Sequence, residues 1–337
     1  MPAARFSVTF YPPGDGKNII RLARLAEELG FDTFWIPDSH MIWGDPYVLL
    51  GAVAASTERI RLGPGVTHPL VRHVTVTASA IATLGEIAPG RVRLGIGIGS
   101  SGPATIGVRR VGARELETAI RAIRALVRGE RLEEGERTLR LAFTEGQDVP
   151  ISVGAISEHT LRVAGRVADG AIFSGPIDGL GDCARAVQEG EEAAARPRGS
   201  VDIALITPLS VDDDRQRAHE AVKPIVARTA LVWLTRAARS GTIDDADREP
   251  WQRLQREYDP YRHMTAEYSR LVEDRWLERF SLSGTADEVL RRATRALAAG
   301  AGEIILNLLG PDGEAQMRRF GEEILPRLAG DPSPSSR

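Results

Sequence analysis

A carboxylate and an imidazole stand two residues apart in the segment IPDSHMIWGDPY, at Asp38 and His40. Such a pair can give and take a proton at a reacting carbonyl, imine or alcohol. On its own the pair is better read as an aspartate capping a turn and an ordinary loop histidine; its place just past a barrel strand is what raises the catalytic reading. A second segment, GPGVTHPLVRH, sets Gly63, Pro64 and Gly65 inside an apolar run. Proline donates no ladder hydrogen bond, and glycine within a strand marks a bulge or a close backbone approach. A strand deformed near Gly65–Val66 is therefore expected, against which a flat group could pack; a plain strand end with a turn at His68–Pro69 is the simpler alternative. A third segment, RVRLGIGIGSSG, places Val92, Leu94, Ile96 and Ile98 on one strand face and Gly95, Gly97 and Gly99 on the other. The apolar face should meet helices, and the glycine face should look inward and leave room. In a fourth, SVGAISEHTLRVAG, a Gly–Ala turn leads into a helix with Ser157 near its start. Free N–H groups at a helix start can hold a phosphate, and Thr160 would help if its hydroxyl faces the turn. A capped strand-to-helix turn without a ligand has the same signature.

Other chemistries fit poorly. The glycine run has G-x-G-x-G spacing and no helix begins before about Ala113, so it fails the dinucleotide fingerprint. None of the six histidines forms an H-x-x-x-H pair, and the lone cysteine, Cys183, excludes a Cys-based zinc site and an intrachain disulfide. No metal is expected. There is no serine-hydrolase elbow and no P-loop.

The elements that must position these residues follow from periodicity. Strands are expected at Phe6–Tyr11, Thr33–Pro37, Ile60–Val66, Arg91–Gly99, Pro150–Val153, Gly170–Ser174, Val201–Leu209 and Glu303–Asn307. Helices fall between them: Lys17–Leu29, one capped by Asp45 with Pro46 at its first position, Val74–Ile87, Ala113–Arg128, Ser157–Val167 and 179–195. Residues 130–148 read as an excursion with a short hairpin, and 212–280 as a mostly helical insertion. Thr285 with Glu288 is a capping-box signature, and the last helix carries Met317, Phe320, Ile324 and Leu328 on one face. Eight strands alternating with helices point to an α/β (β/α)8 TIM barrel rather than a doubly wound sheet, and place the chemistry on the loops after the strands. The aromatic-rich segment 240–280, with Trp251, Tyr258, Tyr261, His263, Tyr268 and Trp276, could be a substrate wall, an oligomer contact or a local helical core.

The 337 residues are 42% hydrophobic and 26% charged, a globular balance, and are read as a single domain over 1–329 with a frayed tail at 330–337. A net charge of −3 gives no argument for nucleic acid or a membrane surface as partner. No run has transmembrane length and the N-terminus has no apolar signal core, so a cytoplasmic enzyme is expected.

The stretches LGFDTFWIPDSH, LGPGVTHPLVRHVTVTASAIATLGEIAPGRVRLGIGIG, VPISVGAISEHTLRVAGRVADGAIFSG and FSLSGTADEVLRRATRALAAGAGEIIL span nearly the whole chain. In that order they resemble the bacterial luciferase-like superfamily of flavin and deazaflavin oxidoreductases, and within it the methylenetetrahydromethanopterin reductase branch. The resemblance implies a (β/α)8 barrel with an insertion, binding coenzyme F420 or, alternatively, FMN at its mouth. It implies that Gly65–Val66 is a bulge behind the cofactor ring, with a non-prolyl cis peptide. Asp38 matches the acidic residue beside the ring, and Gly154, Ala155 and Ile156 match the phosphate-holding turn. With Thr67, Gly97, Gly99 and Ser157 these form the expected cofactor set, and Asp38 with His40 the expected catalytic pair. The chain departs from the family pattern at Ser39, where a histidine is frequent, at His68 and Val74, where asparagine and proline are frequent, and at Ser100–Ser101, where an acid is common.

The function implied is hydride transfer between the deazaflavin C5 and a small organic substrate. The alternatives are an FMN-dependent monooxygenase fed by a separate reductase and a non-catalytic flavin-binding protein. A homodimer is implied, as is a flavin reductase or an F420-reducing enzyme as cofactor supplier.

Overall fold

A computed structural model describes residues 4–10, 15–99, 101–258, 266–308 and 312–328. Strand and helix alternate: β1 (Arg5–Phe10), α1 (Gly16–Glu28), β2 (Thr33–Ile36), α2 (Pro46–Ser56), β3 (Arg61–Pro64), α3 (Val74–Ile87), β4 (Leu94–Gly97), α4 (Ser101–Thr105) and α5 (Ala113–Val127). A hairpin of β5 (Leu132–Glu134) and β6 (Arg137–Leu139) precedes β7 (Ile151–Ala155), α6 (Glu158–Val167), β8 (Gly170–Phe173) and α7 (Leu180–Ala193). There follow β9 (Asp202–Val211), α8 (Arg215–Arg239), α9 (Asp245–Glu257), α10 (Asp274–Phe280), β10 (Leu282–Gly284), α11 (Ala286–Ala298), β11 (Glu303–Leu308) and α12 (Gly313–Arg319). Among the described residues, apart from the hairpin and β10, eight strands each lead into a helix, and the fold class is (β/α)8.

The chain divides into two compact units. The larger holds Arg5–Phe173 and Asp182–Ala204. Its strands are parallel, in the order β1-β2-β3-β4-β7-β8, with β3 joined to β4 through bridges at Leu62–Val92 and Thr67–Ile96. Between those bridges the Gly65–Val66 peptide is cis, at the position where the glycines and Pro64 predicted a deformed strand. Asp45 caps α2, accepting a hydrogen bond from the Tyr47 N–H at 2.9 Å, and Pro46 takes the first position, which needs no donor. The ring of His73 caps α3 by accepting from the Thr75 N–H. Ala78, Ile81 and Ala82 of α3 are fully buried, as are Leu62, Leu94 and Ile96 of the strands.

The glycine face of β4 differs from expectation. The room it leaves is filled by this chain: a Cβ on Gly95 would lie 2.5 Å from the Pro64 carbonyl oxygen and 3.0 Å from Val66 Cγ1, and one on Gly97 3.2 Å from Val66 Cγ2. The glycines accept the deformed β3 before they accept any ligand.

The smaller unit holds Ser174–Gly181 and Leu205–Arg337. Here β9 has β11 beside it and pairs in parallel with β10 at Leu209–Leu282, Ser210–Ser283 and Val211–Gly284. Three residues are too few for a strand to show periodicity, which is why β10 has no signal in the sequence. Thr285 and Glu288 close the capping box of α11. Met317, Phe320 and Ile324 are buried as expected, whereas Leu328 is half-buried.

The described aromatics of the insertion pack locally. Tyr268, Trp276 and Phe280 are buried with Leu234, Leu254 and Leu277, and Trp251 and Tyr258 lie against them. That is the local helical core among the three readings; Tyr261 and His263 lie outside the described residues. One buried carboxylate ties this core together. Asp247, 2% exposed, accepts from Trp276 Nε1 at 2.7 Å, Arg275 Nε at 2.7 Å and Arg279 Nη1 at 3.1 Å. An Asp247→Ala change strands a buried indole N–H, while both guanidiniums retain some access to water. We expect a loss of about 2–3 kcal/mol, below the ~3–5 kcal/mol of a fully buried ion pair because the guanidiniums stay partly solvated. Urea denaturation checks this; an unchanged midpoint would remove Asp247 from the packing.

Candidate active site

Asp38 follows the end of β2 and is 5% exposed. Its Oδ2 accepts from the Thr67 hydroxyl at 2.7 Å and lies 3.5 Å from Arg72 Nε. Its Oδ1 is buried with no hydrogen-bond partner among the described residues. Arg72 also pairs with Asp45, and its guanidinium carbon stands 4.7 Å from the centre of the Tyr47 ring. Asp45 thus caps α2 and holds the arginine that holds Asp38. Burial pushes the Asp45 carboxyl up, but Arg72 and the Val48 and Tyr47 N–H groups outweigh that and keep it below the usual range. Burial, with the Asp38 charge acting the same way, pushes the Tyr47 phenol up to about 12 against the opposing Thr67 hydroxyl, so it stays neutral at working pH. Its hydroxyl faces Thr67 and Thr77 without closing a hydrogen bond of normal geometry.

Two histidines face this cluster. His40 is half-buried, with Nδ1 buried and unpartnered among the described residues. His68 is 3% exposed, and its Nε2 likewise has no partner among them. Burial pulls His68 below the ordinary imidazole range; the Asp38 charge opposes this, and His40 and Arg72 add to it.

The cofactor set predicted from the sequence lies along the ends of neighbouring strands. Thr67 N–H donates to the Gly95 carbonyl at 2.9 Å, and Gly97 N–H donates to the Thr67 carbonyl at 2.9 Å. Gly97 pairs in register with Gly154 of β7. Val66 seats its two methyl groups against Gly154, where a Cβ would meet them at 3.0 and 3.1 Å. Behind Gly65 stands the buried Trp35, with the Arg93 guanidinium 4.8 Å from its ring centre. Gly99 has φ +82°, a conformation that favours glycine, and carries the chain over the His68 ring. Past Ala155 and Ile156, Ser157 caps α6: its Oγ accepts from the Thr160 N–H at 3.3 Å and lies 2.9 Å from the Thr160 hydroxyl. The Thr160 hydroxyl therefore does face the turn.

Asp38, His40, Gly65, Val66, Thr67, Gly97, Gly99, Gly154 and the turn to Ser157 all belong to the larger unit. Arg72, Tyr47 and His68 were missed by the sequence reading. Arg72 and His68 lie inside the GPGVTHPLVRH segment, but nothing in their spacing says that they turn toward Asp38. Cys183 is buried, and burial pushes its thiol up to about 12, which suits an inert core position.

The family described as Luciferase-like monooxygenase matches residues 3–302. Among curated relatives, a 5,10-methylenetetrahydromethanopterin reductase of Archaeoglobus fulgidus is 30% identical, over 96% of this chain and 99% of the relative. An F420-dependent glucose-6-phosphate dehydrogenase of Microbacterium testaceum is 33% identical, over 90% of this chain and 91% of the relative. The solved coenzyme F420 dependent tetrahydromethanopterin reductase from Methanopyrus kandleri superposes with a TM-score of 0.84 at 26% identity, covering 97% of this chain and 99% of that one. By the length of that match and by the relatives' nearly full coverage, the chain belongs to the luciferase-like monooxygenase family.

Proposed function

We propose that the protein is a coenzyme F420-dependent oxidoreductase that moves a hydride between the deazaflavin and a small organic substrate. The carrying observation is Asp38, a buried carboxylate that presents an unpartnered Oδ1 at the strand ends, in a chain whose relatives are named as F420-dependent enzymes and methylenetetrahydromethanopterin reductases. The residues fit such a cofactor. Asp38 Oδ1 is a buried polar atom in need of a partner, and Ser157 opens a 10-residue helix whose start suits a phosphate.

Gly65, Val66 and Thr67 would back the ring, with Gly97 and Gly99 beside them and Gly154, Ala155, Ile156 and Ser157 at the phosphate. When bound, the reduced deazaflavin supplies a hydride at C5. The chain supplies orientation, a dry wall and fixed charge. Arg72 and Thr67 hold the Asp38 carboxylate on Oδ2, leaving Oδ1 to meet a ring N–H or a substrate donor. His40 stands at the same edge as a second polar group.

The reading extends to a cytoplasmic homodimer served by an F420-reducing enzyme. It is supported by the exposed apolar Val48 of α2 and Val76 of α3, and by the lack, among the described residues, of a helix long and apolar enough to cross a membrane. An FMN-dependent monooxygenase draws support from the description of the matched family. Anaerobic oxidation of reduced F420 by imines, enones and ketones is the expected activity. Oxygen uptake with reduced FMN and substrate, without F420 turnover, would replace this reading with the monooxygenase. Binding without turnover in either assay would leave a non-catalytic flavin-binding protein.

A further inference from the structure

We propose that His68 is the proton donor and acceptor of the reaction, its Nε2 exchanging a proton with the substrate heteroatom beside the Asp38 carboxylate. The inference rests on the proposed function.

Three observations carry it. The His68 imidazole is 3% exposed, and its Nε2 has no partner among the described residues. A buried polar nitrogen left unpaired costs about 1–3 kcal/mol, a cost that a ligand or water at the site would remove. Two glycines pack closely on the ring: a Cβ on Gly102 would stand 3.0 Å from Nε2 and 3.3 Å from the Asp38 carbonyl oxygen, and one on Gly99 2.5 Å from Pro103 Cγ and 3.3 Å from the ring carbon Cγ, so any side chain at either position would press on His68 or its cover. The His68 ring and the Asp38 backbone therefore both lie against Gly102, and the Asp38 charge acts on the imidazole. Asp38 Oδ1 is a second buried atom without a partner among the described residues.

The charged and titratable groups facing His68 are Asp38 and His40 from the loop after β2 and Arg72 from its own loop; α4, with the sequence SGPAT, adds none. Asp38 alone among them favours the imidazolium. Burial, His40 and Arg72 favour the neutral ring, so the imidazole can hand a proton over readily and take it back.

For a ketone or imine, the C=O or C=N π bond would break as its carbon takes the hydride that a bound reduced deazaflavin would supply. The oxygen or nitrogen takes the proton from His68 Nε2, and solvent returns a proton to the imidazole. In the reverse direction neutral His68 takes the proton of the alcohol or amine. Reduction by this route falls as pH rises through a midpoint below 6.5, and oxidation rises over the same interval.

The test combines a histidine resonance with kinetics. Protein carrying 13Cε1-labelled histidine is titrated with acid, free and with oxidised F420, and His68→Gln assigns the resonance. The His68 signal should titrate below the ordinary range and shift when F420 is added. His68→Gln should bind F420 within about 3-fold of wild type, lose on the order of 10²-fold or more in turnover, and lose the pH limb. A His68 signal that ignores bound F420, or a variant that keeps the limb, overturns the inference while the proposed function stands. Wild-type protein that binds no F420 overturns both. The wild-type titration decides the question even where His68→Gln folds poorly.

Discussion

Replacing Asp38 by asparagine is expected to lower turnover by on the order of 10²-fold or more, and to lower F420 affinity by less, about tenfold. The asymmetry follows from how the carboxylate is held. Asparagine can still accept the Thr67 hydroxyl hydrogen bond on its amide oxygen, and Arg72 retains Asp45 as a partner, so the local structure survives. What disappears is the negative charge near His68 and the free oxygen Oδ1. A charge that matters during proton and hydride movement appears in kcat, whereas a merely structural residue would alter binding and melting together. Steady-state kinetics with reduced F420, beside a fluorescence titration of the same preparation, separates the two. Turnover equal to wild type would remove Asp38 from the mechanism.

The largest expected effect on stability belongs to Gly63→Ala. The new methyl group would collide with the Arg93 carbonyl oxygen and stand 3.2 Å from Trp35 Cζ3. Neither neighbour can yield cheaply. Leu62 N–H donates to the Arg91 carbonyl at 2.9 Å, and Arg93 N–H to the Leu62 carbonyl at 2.9 Å, so separating β3 from β4 breaks the pairing between them. Trp35 is fully buried under the Arg93 guanidinium. Overpacking ordinarily costs about 1–3 kcal/mol, and a clash with paired backbone on one side and a buried indole on the other belongs above that, at about 4 kcal/mol or more. That is a large share of the stability of a typical domain. Gly51→Ala is the control. It lies within α2 with nothing within 4 Å of the new methyl group, and should be neutral or stabilising by up to about 1 kcal/mol. Urea midpoints of the two variants test the pair; a Gly63→Ala protein as stable as wild type would mean that β3 and β4 are not packed this closely.

The contrast between these residues shows what the sequence reveals. Local rules are legible: α3 runs over Val74–Ile87 as its periodicity predicts, Asp45 and Thr285 cap their helices, and Gly65–Val66 marks the deformed strand. Those features depend on a few neighbouring residues. The glycines of β4 are legible as a face but not as a seat for Val66, because that contact joins segments about 30 residues apart. The Asp38–Thr67–Arg72–Asp45 chain is hidden for the same reason, since two strands and a helix start must converge before the arginine meets either acid. His68 reads as an ordinary turn residue until burial and Gly102 are known.

The most direct measurement is a titration of the purified protein with oxidised F420 and, separately, with FMN, following tryptophan fluorescence. Tight F420 binding, with FMN weaker by at least about tenfold, is predicted, and would direct the screen to imines, enones and ketones with the reduced coenzyme. The opposite preference, with FMN bound tightly and F420 not at all, would contradict hydride transfer from a deazaflavin at this site.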